Sequence, residues 1–184
     1  MPKLILGFVG PIASGKEAAK KYLEKKYNTS GHRFSTMLRD ILNRIYTPIN
    51  RQNMQDLSLD LRNRFGSDIL ARVIAEDVKN DTHDVIIVDG IRRMDDIVNL
   101  KNVEGFYLIG IEAKEEIRYE RMKLRNENVG DNQKTFADFI TDGKGEAELE
   151  IPTVMNNARF TINNDGTFED LYKQIEEIIN SLNK

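Results

Sequence analysis

Apolar residues fall along the chain in two rhythms. Continuous runs at Leu4–Val9, Asp84–Asp89 and Gly105–Ile111 read as strands buried on both faces. Between them, apolar positions recur every three or four residues. That spacing predicts helices over Glu17–Tyr27 and Thr36–Tyr46, the latter carrying Met37, Leu38, Ile41, Leu42 and Ile45 on one side. Pro48 breaks that helix. A third helix is expected over Arg51–Phe65 with Gly66 ending it, then a fourth, capped by Ser67 or Asp68, to about Asn80. His32–Phe34 and Arg159–Asn163 are shorter strand candidates. After Gly166, Phe168, Leu171, Ile175, Ile178, Ile179 and Leu182 form one helical stripe that suits core packing. Strands alternating with helices imply an α/β fold with a mostly parallel sheet covered on both faces. Ligands of such sheets bind outside the carboxyl ends of the strands.

Composition narrows the chemistry. A chain of 184 residues fits one domain, here taken as 1–184, and buries enough surface to fold without a covalent staple. It has no cysteine, which excludes disulfides and thiol catalysis, and only two histidines, His32 and His83, which read as turn or surface residues. No apolar run is long enough to span a bilayer, and the start, Met1 to Gly7, lacks the features of a secretory signal. A cytoplasmic protein with no membrane partner is expected. The net charge of −3 is not that of a nucleic-acid binder. The arginines nevertheless cluster, at Arg33, Arg39, Arg44 and Arg51, at Arg92–Arg93, and at Arg118, Arg121 and Arg125. Solvated helix faces account for any one cluster. Together they suit a small anionic ligand, because the guanidinium fork binds phosphate through two parallel bonds.

The strongest local signal follows the first strand. Gly10-Pro11-Ile12-Ala13-Ser14-Gly15-Lys16 has the G-x-x-x-x-G-K spacing of a phosphate-binding loop and opens a helix. Glycines let backbone N–H groups turn inward around a phosphate, the helix N-terminus adds partial positive charge, and Lys16 reaches the outer phosphates. The motif expects Ser or Thr after the lysine, as a magnesium ligand. Here Glu17 and then Ala18 stand there. Either Glu17 or a water takes the metal, or metal use is unusual, or turnover is impaired. Asp89, closing the run Val85–Val88, is placed to organise magnesium and its waters.

Taken together, these residues resemble the nucleoside monophosphate kinase family, adenylate kinase-like within the P-loop kinases. Beyond the phosphate loop, three segments carry the resemblance: Phe34-Ser35-Thr36-Met37-Leu38-Arg39, Asp89-Gly90-Ile91-Arg92-Arg93, and Arg121-Met122-Lys123-Leu124-Arg125. Asn163-Asn164-Asp165-Gly166 and the following Leu171 also resemble the ending common to these kinases and dephospho-CoA kinases. The resemblance implies a three-layer αβα fold on a five-stranded parallel sheet, a helical acceptor region at about 35–80 and a short lid at about 121–150. It implies that the loop Gly10–Lys16, Glu17, Asn164 and Gly166 bind ATP. Ser35, Arg39, Arg92 and Arg93 would hold an acceptor monophosphate. Lys16, Asp89, Arg121 and Arg125 would serve the transfer itself, with Asp89 and Glu17 as magnesium ligands. The acceptor region is unlike that of adenylate kinase, so the acceptor base stays open; Gln52, Asn53, Gln55, Asp56 and Asn63 are polar candidates or plain helix surface.

The expected activity is ATP-dependent phosphoryl transfer to a nucleoside or deoxynucleoside monophosphate, by a monomer or homodimer. Dephospho-CoA or another small molecule is the alternative acceptor. A nucleotide-dependent switch or assembly ATPase is the alternative of a different class, and Glu17 and the thin lid favour it.

Overall fold

The computed structural model describes residues 3–125, 131–145 and 148–183. Part of the expected lid therefore lies outside the described residues. Five strands form one all-parallel sheet: β1 (Leu4–Val9), β2 (Thr29–Arg33), β3 (Val85–Asp89), β4 (Phe106–Glu112) and β5 (Phe160–Asn163). Their order is β2-β3-β1-β4-β5, with β1 at the centre.

The alternation that parallel strands hide in the sequence appears in the packing. Leu4, Leu6 and Phe8 of β1 face one core, formed with Ala19 and Leu23 of α1 (Lys16–Lys26) and Leu171, Ile175 and Ile179 of α9 (Phe168–Leu182). Ile5 and Val9 face the other. There they meet Phe34 and Leu38 of α2 (Phe34–Arg44), Leu70, Ile74 and Val78 of α4 (Ile69–Asn80), Ile97 of α5 (Met94–Val98) and Val154 of α8 (Ile151–Met155). The three-layer αβα arrangement expected from the sequence is thus the observed one. The helix α3 (Arg51–Phe65) has no fully buried residue; Met54, Leu57 and Leu61 are half-buried on the second core. Two more helices, α6 (Glu115–Arg125) and α7 (Phe136–Asp142), follow β4.

The structure corrects three local expectations. The second strand is Thr29–Arg33 rather than His32–Phe34, and Phe34 opens α2, because its ring is buried under that helix instead of in the sheet. Asp68 stands at the start of α4 but its side chain does not cap it. The carboxylate instead accepts from Asn99 Nδ2 (2.9 Å) and faces Arg72. The short helices α5 and α8 carry too few residues to show a helical period, and sequence periodicity misses them.

His32 and His83 are not idle surface groups. Both reach Asp81, His32 Nε2 at 2.7 Å from Oδ2 and His83 Nδ1 at 2.6 Å from Oδ1. Ser30 Oγ and the His83 backbone N–H donate to the same carboxylate. Burial would raise the Asp81 pKa, but these hydrogen bonds outweigh it and hold the carboxyl well below its ordinary value. The segment after α4 is fixed from the other side as well. Lys3 Nζ donates to the carbonyls of Val78 (2.6 Å), Lys79 (3.1 Å) and Asp81 (2.6 Å), an ammonium at a helix C-terminus.

Candidate functional site

The carboxyl ends of β1, β3 and β4 bring the sequence motifs together. The loop after β1 turns through Gly10, Ala13 (φ 60°) and Gly15 (φ 113°) before α1 begins at Lys16. A side chain at Gly15 is excluded twice, by that left-handed φ and by Asn164, whose Nδ2 a Cβ would run into. Asn164 itself is buried, and its Nδ2 donates to the Ser14 carbonyl at 2.8 Å. The segment after β5 thus holds the phosphate loop in shape. The Ser14 hydroxyl is fully buried with no hydrogen-bond partner among the described residues.

Lys16 folds back into its own loop, where Nζ donates to the carbonyls of Gly10 (2.6 Å) and Pro11 (3.0 Å). Burial pushes its pKa down to about 8; Asp89 and Glu148 act to raise it, while Arg92 and Arg125 lower it further. Three of the charged residues singled out by the motifs therefore act on Lys16: Asp89, Arg92 and Arg125.

Asp89, at the end of β3, accepts from Arg33 through Nε (2.8 Å) and Nη2 (2.5 Å), and its Oδ1 accepts from the Gly90 N–H. The same Arg33 Nη2 lies 3.9 Å from Glu17 Oε2. One guanidinium thus faces both carboxylates. That is the observation that tests a magnesium site here: Glu17 and Asp89 converge on a single cation, and a magnesium ion held by one or two carboxylates plus phosphates needs no more from the protein. The donor chemistry, two carboxylates, is of the kind that magnesium takes. Among the described residues, no group of three or more His, Asp or Glu side chains forms a protein-only metal cage.

The arginines divide. Arg121 of α6 donates to the carbonyls of Asn164 (2.9 Å) and Gly166 (3.5 Å), so it braces the segment expected beside the base of ATP. Arg125, at the end of α6, is exposed and within electrostatic reach of Lys16. Arg92 is exposed, 3.7 Å from Glu148. Arg93 is half-buried at the start of α5, and its backbone N–H donates to Asp96 (3.0 Å). Arg39 is exposed and Ser35 half-buried on α2, which begins where β2 ends at the same edge of the sheet. Of the base-reading candidates, Asn53 is engaged with Pro48 and Asn50 at the start of α3, and Gln52 pairs with Asp56 one turn on.

Sequence reasoning missed three groups. Arg33 precedes the segment that carried the resemblance. Glu148, on the link between α7 and α8, matches no motif, yet it sits near Lys16, Arg92 and Arg118. Arg118 was visible only as part of a cluster. It is buried, donates to the carbonyls of Ala113 (3.0 Å) and Ile12 (3.3 Å), and lies 5.2 Å from the Phe139 ring. It supports the phosphate loop from α6. Burial is the main cause that lowers its pKa. Its position one helical turn before Arg121 was the available signal.

No known family model matches the chain. A UPF0200 protein of Saccharolobus solfataricus is 27% identical over 182 residues, covering 96% of this chain and 92% of that protein. A UPF0200 protein of Staphylothermus marinus is 26% identical over 178 residues, covering 95% and 93%. That designation names no activity. Among solved structures, TT1252 from Thermus thermophilus superposes with a TM-score of 0.61 at 13% identity, over 99% of both chains. Shikimate kinase from Bacteroides thetaiotaomicron gives a TM-score of 0.62 at 12% identity, over 98% of this chain and 99% of that one. None of these matches singles out the nucleoside monophosphate kinases among the P-loop kinases. What they establish, over nearly the whole chain, is the fold: a five-stranded parallel sheet between helical layers, as in P-loop kinases such as shikimate kinase.

Proposed function

We propose that this protein transfers the γ-phosphoryl group of ATP to a small phosphorylated acceptor, with a nucleoside or deoxynucleoside monophosphate as the acceptor class. The observation that carries the reading is the setting of Lys16. A desolvated ammonium, met by two carbonyls of its own loop and with two arginines close enough to depress its pKa, is costly until an anion joins it. An anion bound among Lys16, Arg92 and Arg125 repays that cost, and a triphosphate on the preceding loop puts its outer phosphates there.

Phosphoryl transfer needs in-line placement and cations on the equatorial oxygens more than covalent help. In this reading the N–H groups of Gly10–Lys16 hold the β- and γ-phosphates, and Lys16 leaves the Gly10 and Pro11 carbonyls to meet them. Asn164 and Gly166 lie beside the base. Glu17 and Asp89 would hold magnesium once Arg33 moves aside, and the ion would supply positive charge to the phosphates. Arg39, Arg92 and Arg93 grip the acceptor phosphate from the α2 and α5 side. Arg125 meets the transferring group, and Arg121 joins it by releasing the Asn164–Gly166 segment. A phosphate acceptor is already an anion near neutral pH and requires no general base.

A hydroxyl acceptor does require one, and Glu148 beside Lys16 and Arg92 is the carboxylate in position. The fold likeness to a shikimate kinase, an enzyme named for a hydroxyl-bearing acid, favours this second reading. One experiment separates the two. ADP release from ATP and magnesium is measured with each ribo- and deoxyribonucleoside monophosphate, dephospho-CoA and shikimate. Stimulation by a monophosphate supports the first reading and names its acceptor. Stimulation by dephospho-CoA or shikimate alone supports the second. Slow release indifferent to every acceptor removes both and leaves a nucleotide-dependent switch.

A further inference from the structure

The cluster formed by Arg62, Arg93 and Asp96 lies outside every motif of the sequence except Arg93. Asp96 is buried on α5, and its Oδ2 accepts from the backbone N–H groups of Arg92 (2.9 Å) and Arg93 (3.0 Å). Its Oδ1 is 3.7 Å from Nη2 of Arg62, which comes across from α3. One carboxylate therefore fixes the backbone of the arginine pair after β3 and faces an arginine of the helical acceptor region.

The Arg62 guanidinium is underused. Nη1 donates to Ser58 Oγ within α3, Nη2 has only the long contact with Asp96, and Nε is buried with no partner at all among the described residues. A buried N–H left unpaired keeps the full cost of its desolvation, and a native protein that tolerates one commonly fills it with a water, ion or ligand. A second arginine meets the same carboxylate: Asp96 Oδ2 accepts from the Arg93 backbone N–H at 3.0 Å while its Oδ1 faces Arg62. Two arginines gathered at one carboxylate, one of them with an unpaired N–H, suit an oxyanion.

We propose that Arg62 is a third arm of the acceptor site, binding the acceptor's phosphate together with Arg93, while Asp96 orients both arginines. This rests on the phosphate-acceptor reading above. It assigns α3 a direct part in recognition and makes the acceptor bind in the cleft between α3 and α5.

Equilibrium binding to the full chain tests it without turnover. Calorimetry would follow each ribo- and deoxyribonucleoside monophosphate, with and without a non-hydrolysable ATP analogue. The variants are Arg62→Met and Arg62→Lys. The wild type should bind at least one monophosphate. Both variants should bind it on the order of 10- to 100-fold more weakly, with the ATP analogue bound as before. Because Arg62→Met leaves Asp96 without its partner, melting temperature is read alongside. Arg62→Lys should recover much of the melting temperature and little of the monophosphate affinity, since an ammonium faces Asp96 but cannot fork. Unchanged affinity in Arg62→Met, or full recovery of affinity with Lys, makes Arg62 a tether between α3 and α5 and overturns the proposal. A wild type that binds no monophosphate in either condition overturns it too. Binding that depends on Arg62, without acceptor-stimulated ADP release, keeps the anion site and sinks only the kinase reading.

Discussion

Lys16 links charge to ligand in a way that pH exposes. Its free-state pKa of about 8 lies below the ordinary lysine value. A bound polyphosphate restores the ammonium and raises that pKa. ATP binding should therefore take up a fraction of a proton near pH 8, and affinity should fall as pH rises through about 8 towards the bound-state value. Calorimetry at pH 8.5 in buffers of different ionisation enthalpy measures the uptake; a buffer-independent heat refutes it. Arg121 poses a different question, because its guanidinium now holds Asn164 and Gly166 by their carbonyls. If it also meets the transferring group, Arg121→Ala lowers kcat by on the order of 10³-fold. A rise in the KM for ATP with kcat intact would confine it to bracing the base segment. Glu17 is tested by Glu17→Thr. The magnesium dependence of ADP release should shift, and an unchanged profile removes Glu17 from the metal.

At the scale of elements, two small clusters fix the ends of helices. The three carbonyls at the end of α4 share the Lys3 ammonium, so Lys3→Met should destabilise the fold by ~1–2 kcal/mol in denaturant unfolding. Asp81 ties β2 to the approach to β3. Because its folded pKa is depressed, its contribution is complete above the unfolded value of ~4 and is lost as pH falls towards the folded one. The stability gap between wild type and Asp81→Asn should be flat above about pH 5 and close below about pH 4. The long elements were legible in the sequence because their signals are physical and local: the unbroken run of β1, the stripe of α9, the break at Pro48. The shift of β2 was not, since Thr29–Arg33 has no apolar pattern and earns its place through pairing with β3. The phosphate loop and Asp89 were equally plain. Arg33, Arg62 and Glu148 were not, because only folding brings each beside partners far away in the chain.

At the scale of the molecule, the site draws on almost every layer. In the proposed reading the phosphate loop comes from the centre of the sheet, the carboxylates that would hold magnesium from α1 and β3, and the arginines that would hold the acceptor from α2, α3 and α5. Among the described residues, no helix is long and apolar enough to cross a membrane. Substitutions in the two cores should lower stability while leaving substrate preference unchanged, whereas changes in α3 should alter preference first.

The bond from Asn164 to the Ser14 carbonyl joins positions 150 residues apart. Its consequence is temporal. During synthesis the N-terminal loop emerges early, yet its side support arrives only after β5 has been made and has added itself to the edge of β4. Contacts of such long separation close slowly, since the intervening chain must first be ordered. A nascent chain that stops short of β5 would thus present a phosphate loop without its brace.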